Sequence, residues 1–385
     1  MDRGNYDLIL LGVAHSLNHS LFLVLPPLLE NITLDLGANF GTMGIIGTFT
    51  FLIYGAGALV GGPLSDKLGS LKVARISIGL GGLMTVIFIF TNDVYLFGAG
   101  MFLMALWSSF YHPTANGLIA KAFEENTGEA MGVHNAAGNF GQVLTPTVAY
   151  ILGVTVNWRL SFVFFGFLSI LVTYLMNRVD VNEGIRMSRG QSYLTFLKTP
   201  GLLLILFYNV IVGFLFRSID LFFPSFLSVE RNYTGELAAI ANSLILFFGV
   251  IGQLLGGRGS DRWGQTRILV IATTGMVFSL GLLMILPTNV YGVIIFIVLY
   301  GISMFGHQPT VTNMVSKLSP RDSMGLAYGV MFFSAFGVGS LSTSVTGFLA
   351  DAYSLTFAFW FNVLISIILL LVSIALYYGL KQFKG

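Results

Sequence analysis

The sequence predicts an all-α membrane protein whose twelve transmembrane helices form two pseudo-symmetric six-helix bundles. Three observations predict it. Charged side chains number 19 basic plus 17 acidic, or 36 of 385 residues, where a soluble chain at roughly 25% would carry about 96. Apolar stretches of about 20 residues, long enough for a ~30 Å hydrocarbon core, recur along the whole length. The first half is echoed in the second at an offset of 195 residues.

With 55% hydrophobic residues the chain cannot keep itself in water, which excludes a soluble enzyme and a disordered protein. A formal net charge of +2 offers no field for nucleic acid. No cysteine is present, so no disulfide or thiolate chemistry arises. The first apolar stretch is long and is followed by many more, unlike a cleavable signal peptide. No Gly-Lys-Ser/Thr phosphate loop occurs, so ATP is not the expected energy source and no cofactor is expected.

In chain order the spans are expected at 7–29, 41–64, 71–91, 93–122, 129–154 and 157–177, then 200–228, 236–257, 266–287, 289–317, 323–350 and 355–380. The first carries His15, Asn18 and His19. The second runs into Gly61, Gly62 and Pro63. The fourth holds His112 before Pro113, and the fifth holds His134, Asn135, Asn139 and Gln142. The seventh starts at Pro200 and carries Asn209, Gly213, Arg217 and Asp220. The tenth holds His307 and Gln308. In the twelfth, the run Leu364 to Ile374 lacks the alternation of a barrel strand. The longest polar stretch, about 178–198, divides the chain into an N-terminal bundle (1–177), a linker (178–199) and a C-terminal bundle (200–385).

The cations set the orientation. Sixteen fall on one side: Arg3, Lys67, Lys72, Arg75, Lys121, Arg178, Arg186, Arg189, Lys198, Arg258, Arg262, Arg267, Lys317, Arg321, Lys381 and Lys384. Arg159 and Arg231 fall on the other, and Arg217 lies inside a span. The split places both termini and the linker in the cytoplasm of a multi-pass protein of the cell membrane. Asn31 and Asn232 head glycosylation sequons in loops on the outer side; chance is the better account of them.

The repeat is read from residues. Gly57, Gly61, Gly62, Ser65, Asp66 and Gly69 match Gly252, Gly256, Gly257, Ser260, Asp261 and Gly264 at an offset of 195. A second echo pairs His112-Pro113-Thr114 with His307-Gln308-Pro309-Thr310. Two parallel six-helix repeats suit a rocking transporter with its substrate site near the midplane.

Gly62-Pro63-Leu64-Ser65-Asp66-Lys67-Leu68-Gly69 resembles the G-x-L-x-D-[RK]-x-G signature of the major facilitator superfamily, with a weaker copy ending the eighth span. Tyr111 to Ala115, and Gly138-Asn139-Phe140-Gly141 with Pro146, resemble that superfamily's fosmidomycin-resistance branch of drug/proton antiporters. The resemblance implies the major facilitator fold, a cavity lined by the first and seventh helices, and a gating role for Gly62, Asp66, Lys67 and Gly69 and for Asp261 and Arg262. Read physically, Asp66 latches onto a cation or helix N-terminus, while Gly61, Gly62 and Gly69 permit close approach and a sharp turn. A charged turn serving only membrane orientation is the other reading.

Ionisable groups at bilayer depth are functional candidates by default. His15, Asn18 and His19 lie at i, i+3 and i+4, on one helix face. Asn209, Gly213, Arg217 and Asp220 form a second stripe. Candidate substrate-binding residues are therefore His15, Asn18, His19, His112, Asn139, Gln142, Arg217 and His307, with Asp220 and His19 as proton carriers. Arg217 either binds an anion while Asp220 exchanges a proton, or merely neutralises Asp220 at i+3. The histidines either face the cavity or hold helices together. His15 and His19 have metal-ligand spacing, but no carboxylate shares that helix face, so no metal is expected.

The expected function is a proton-coupled secondary transporter, acting as a monomer, that moves a small organic anion or anionic drug, with export favoured. Proton symport for uptake of a carboxylate or phosphonate stays open, as does a transport-dead receptor. Intramembrane catalysis is disfavoured, because Asp220 is the one clear carboxylate within the spans.

Overall fold

The structure, a computed structural model, describes residues 3–123, 127–179, 200–286, 290–319 and 324–382. Every regular element among them is helical. The linker expected at 178–199 lies outside the described residues beyond Val179.

The first half comprises α1 (Arg3–Leu23), α2 (Leu25–Asp35), α3 (Phe40–Leu68), α4 (Ser70–Met84), α5 (Val94–Ser108), α6 (Tyr111–Ala122), α7 (Thr127–Leu152) and α8 (Trp158–Leu175). The second comprises α9 (Pro200–Ser225), α10 (Gly235–Trp263), α11 (Gln265–Ile285), α12 (Val290–Ile295), α13 (Gly301–Gly306), α14 (Gln308–Leu318), α15 (Met324–Phe332), α16 (Leu341–Ala352) and α17 (Leu355–Gln382).

Several elements are pieces of one crossing, broken where the sequence breaks the backbone ladder. α1 meets α2 just before Pro26 and Pro27. α5 and α6 part at Ser109 and Phe110, four and three residues before Pro113, whose ring cannot accommodate the carbonyl of residue 109. The tenth span breaks at His307, just before Pro309. Single π turns at Phe296–Tyr300 and Phe333–Gly337 interrupt the tenth and eleventh spans.

Eleven helices among the described residues are long and apolar enough to cross a membrane. Ten correspond one to one with expected spans, from Tyr6–Asp35 to Leu355–Gly379. The other, Ala130–Arg178, runs 49 residues and covers both the fifth and sixth expected spans. A straight helix of that length would reach roughly 74 Å, more than twice a ~30 Å core. It is not straight: after the π turn Gly153–Asn157, Asn157 is extended (φ −172°, ψ 139°), and its side chain caps α8 by accepting from Arg159 N.

The interior is largely apolar, with Phe88, Phe162 and Phe222 fully buried, but the surface is apolar as well and many polar groups are inside. Phe90, Phe167 and Leu371 are exposed, whereas Asn18, Ser77, Thr114, Thr273 and Asn362 are fully buried. Lipid takes the apolar rim, and interior hydroxyls and amides find partners, such as Thr273 with Ser373 (2.8 Å) and Asn362 with Ser218 (2.7 Å).

The chain forms two compact units: Met1–Asn39 with Phe49–Gly190, and Phe40–Thr48 with Gln191–Gly385. The first nine residues of α3 thus belong with the second unit. There the Asp351 carboxylate accepts from Phe40 N (3.0 Å) and Gly41 N (2.7 Å), satisfying the start of α3. Thr48 Oγ1 donates to Ser340 O (2.8 Å), and Gly44 lies so near Thr343 that an added Cβ would stand 2.2 Å from its carbonyl oxygen.

Each unit carries one copy of the repeat, and the copies agree in backbone detail. Gly69 (φ +92°) and Gly264 (φ +90°) both occupy a region that side chains rarely adopt. Both close the preceding helix in the same way: Gly69 N donates to Ser65 O (2.9 Å) and Gly264 N to Ser260 O (3.1 Å). Gly57 and Gly61 pack on Ser109, Phe110 and Pro113, and their counterparts Gly252 and Gly256 on Ile302 and Gly306. Gly62 departs from expectation. A Cβ on it, or on Gly257, would meet nothing within 4 Å, so close approach is the work of Gly61 and Gly256.

Arg159 and Arg231, the two cations expected on the outer side, are both engaged. Arg159 pairs with Asp35 (2.8 Å), donates to Thr91 O and stacks over Trp158 (4.3 Å). Arg231 donates to Leu283 O (3.1 Å) and lies over Phe226. Each serves its own unit's packing.

Candidate functional site

In the first unit, α1, α6 and α7 converge on four imidazoles. His15 and His19 stand one turn apart on α1, with Nε2 atoms 3.1 Å apart. His15 is buried and held at its far nitrogen, where Nδ1–H donates to the backbone carbonyl of His134 (3.1 Å). Because a carbonyl only accepts, His15 in its neutral form presents a lone pair at Nε2. His134 stacks on His15 with centroids 4.4 Å apart, and neither of its ring nitrogens has a hydrogen-bond partner among the described residues. His112, from α6, meets His15 edge-on and His19 at a tilt, both at 4.9 Å.

Glycines on α7 make this packing possible. A Cβ on Gly138 would stand 2.3 Å from His15 Nδ1, and one on Gly141 would stand 2.3 Å from Ser16 Cβ. The Gly138-Asn139-Phe140-Gly141 motif therefore has a steric explanation: its glycines are the floor under His15 and Ser16. Ser16 Oγ donates to Ala137 O beside them.

The remaining candidates of this unit divide by partner. Asn18 is fully buried; its amide donates to Ser108 O (3.0 Å) and its oxygen accepts from Tyr54 OH (2.5 Å). That makes it a brace between α1, α3 and α5. Tyr111 OH donates to Leu11 O (2.5 Å), fixing α6 against α1 next to His112. Asn139 and Gln142 are half-buried, and Gln142 Nε2 donates to Asn139 Oδ1 (3.2 Å).

In the second unit the central feature is Arg217 with Asp220, both buried, joined from Nη1 to Oδ2 at 2.9 Å. The guanidinium lies over Phe336 (4.4 Å) and Phe216 (4.7 Å). Phe336 sits in the π turn Phe333–Gly337 and stacks on Phe332 at 4.2 Å. Tyr300 ends the other π turn, Phe296–Tyr300. Its buried hydroxyl has no hydrogen-bond partner among the described residues and lies within electrostatic reach of both charges. π turns re-aim side chains and recur at functional sites, and here both deliver an aromatic group to one ion pair.

His307 is buried, with its ring 6.0 Å from that of Tyr208. Its neighbour Gln308 accepts from Gln253 Nε2 (2.9 Å). Asp66, Lys67, Asp261 and Arg262 are exposed at the ends of α3 and α10.

Reading one helix at a time misses three features. His134 joins His15 across a helix interface, and the α7 glycines at i+4 and i+7 from it are the signal that could have shown it. Phe336 and Tyr300 are indistinguishable in sequence from an aromatic background of 14%. His112 closes a trio with His15 and His19 that spacing on α1 alone does not reveal.

The chain resembles known proteins along most of its length. It is 26% identical over 360 residues to the "Probable sulfoacetate transporter SauU" of Cupriavidus necator, covering 84% of this chain and 82% of that one. It is 25% identical over 370 residues to the fosmidomycin resistance protein of Escherichia coli, covering 90% and 86%. The similar identities favour no single branch. The crystal structure of a mutant of the nucleoside transporter NupG superposes with a TM-score of 0.84 at 13% identity, covering 96% of this chain and all of that one, so it shares the fold. The family model described as the Major Facilitator Superfamily matches residues 8–343. The chain belongs to the Major Facilitator Superfamily, as a multi-pass membrane protein of that transporter fold.

Proposed function

We propose that the chain is a proton-coupled carrier that moves a small organic anion by alternating access, with Arg217 as the anion-binding group. Membership of a transport family makes it a secondary-active transporter and not an enzyme. The observation that carries the proposal is the buried Arg217–Asp220 pair with its aromatic walls. Two charges withdrawn from water cost more than a well-packed apolar pair of similar size. A function that needs a mobile cation explains their retention. The relative named for sulfoacetate, itself a small anion, supports the same substrate class.

The chemistry is an exchange of partners. A carboxylate, sulfonate or phosphonate can offer Arg217 a bidentate fork, where Asp220 at rest meets it through a single Nη1–Oδ2 contact of 2.9 Å. Asp220, left without its cation in an apolar interior, is then neutralised by a proton. In this form anion and proton travel together, which favours symport. Export by antiport, the activity of the drug/proton branch, requires a proton that competes with substrate, and His15 and His19 are the groups for it. His112, His307, Asn139 and Gln142 are the further candidate substrate contacts in either case.

The architecture belongs to the same proposal. The extended Asn157 and the 49-residue length support two crossings within Ala130–Arg178, giving twelve in all, in two six-helix bundles with both termini cytoplasmic. Asp66 and Asp261 serve as latches of the cytoplasmic gate.

The test uses protein in proteoliposomes preloaded with candidate anions, with exchange of labelled anion at equal pH. Arg217→Lys should lower exchange by on the order of 10-fold or more, since an ammonium cannot form the planar fork. Unchanged exchange in a folded Arg217→Lys variant would remove Arg217 from the site.

A further inference from the structure

We propose that His15, His19 and His112 form a binding site for a divalent first-row transition-metal ion, of the zinc, cobalt or nickel class, inside the first unit. One potential ligand nitrogen from each residue lies within 4.8 Å of the others. The His15 and His19 Nε2 atoms are already 3.1 Å apart. A tetrahedral ion with Zn–N bonds of about 2.0–2.1 Å needs nitrogens about 3.3–3.4 Å apart. Small rotations of the half-buried His19 and His112 rings would close the set, with buried His15 as the fixed point.

The arrangement behind His15 is that of a metal ligand. Its Nδ1–H is committed to the His134 carbonyl, which fixes ring and tautomer and turns the Nε2 lone pair toward His19 and His112. Gly138 leaves no room for the ring to retreat. Imidazole donors suit zinc, cobalt and nickel, whereas magnesium and calcium take oxygen ligands. Three neutral donors leave a fourth position open, and the uncompensated charge of the ion in an apolar interior would draw an anion or hydroxide there. The site does not depend on the transport reading: it would exist in a protein that never moved an anion.

The test is titration of Zn2+ into the tag-free full chain in detergent, followed by X-ray absorption of the 1:1 complex. The expected result is one ion per chain bound at micromolar concentration, with three imidazole nitrogens at about 2.0 Å. His15→Gln, His19→Gln and His112→Gln should each weaken binding by on the order of 100-fold, whereas His134→Gln, which keeps its carbonyl, should stay within about 10-fold. No saturable binding below millimolar Zn2+, or fewer than three imidazoles in the wild-type spectrum, would overturn the proposal even if no variant folded. Unchanged affinity in any folded trio variant would overturn it as well.

Discussion

At Gly138 the backbone of α7 runs so close to α1 that a methyl group would stand 2.3 Å from His15 Nδ1. Gly138→Ala must push the imidazole off its carbonyl partner or part the two helices. Overpacking of this kind costs about 1–3 kcal/mol, so the variant should melt at lower temperature in detergent. Gly62→Ala is the matched control. Its Cβ meets no neighbour within 4 Å, and it should be neutral or slightly stabilising, because alanine favours a helix by about 0.5–1 kcal/mol. Equal melting temperatures for both would contradict the packing described. His15 and His19 were legible as one face because helical spacing is a property of a single segment. The convergence of His112 and His134 on them was not, because it depends on which helices meet. For Arg217 and Asp220 the i, i+3 spacing gave the pair and Phe216 adjoins Arg217 in sequence, but the wall made by Phe336 depends on a π turn that no residue type signals.

At the scale of elements, the repeat makes paired predictions. Gly69 and Gly264 share a positive φ near 90° and the same backbone bond to the fourth residue before them. Alanine at either should cost about 1–3 kcal/mol of backbone strain, and the two losses should be similar when measured by thermal unfolding. A silent Gly264→Ala beside a damaging Gly69→Ala would break the equivalence. Asp66, exposed at the end of α3, should behave as a conformational latch. Asp66→Asn is expected to slow transport at least several-fold while leaving equilibrium substrate affinity nearly intact, because a latch shifts populations and not contacts. Lost binding in a folded variant would instead place Asp66 in the site. Most helices were readable from apolar length and from the prolines that break them. The sequence leaves only residues 155 and 156 between the fifth and sixth spans, and there a π turn ending on the extended Asn157 carries the chain directly from α7 into α8. A turn so short leaves no polar stretch to mark it.

The multi-pass membrane class was legible because composition alone forbids a soluble fold. Arg159 and Arg231, expected on the side with few cations, are engaged in local packing. The grouping of Phe40–Thr48 with the second unit was not legible, since it rests on hydroxyl and carboxylate contacts far apart in sequence, Thr48 with Ser340 and Gly41 with Asp351. What the molecule does as a whole turns on one claim, that anion movement and proton movement meet at the Arg217–Asp220 pair. The direct measurement is internal pH and anion content in proteoliposomes under an imposed pH gradient, for wild type and Asp220→Asn side by side. Wild type should couple anion accumulation to a proton flux, and Asp220→Asn should lose uphill accumulation while retaining part of its exchange at equal pH. Uphill transport by Asp220→Asn equal to wild type would contradict that claim and leave the ion pair a structural one.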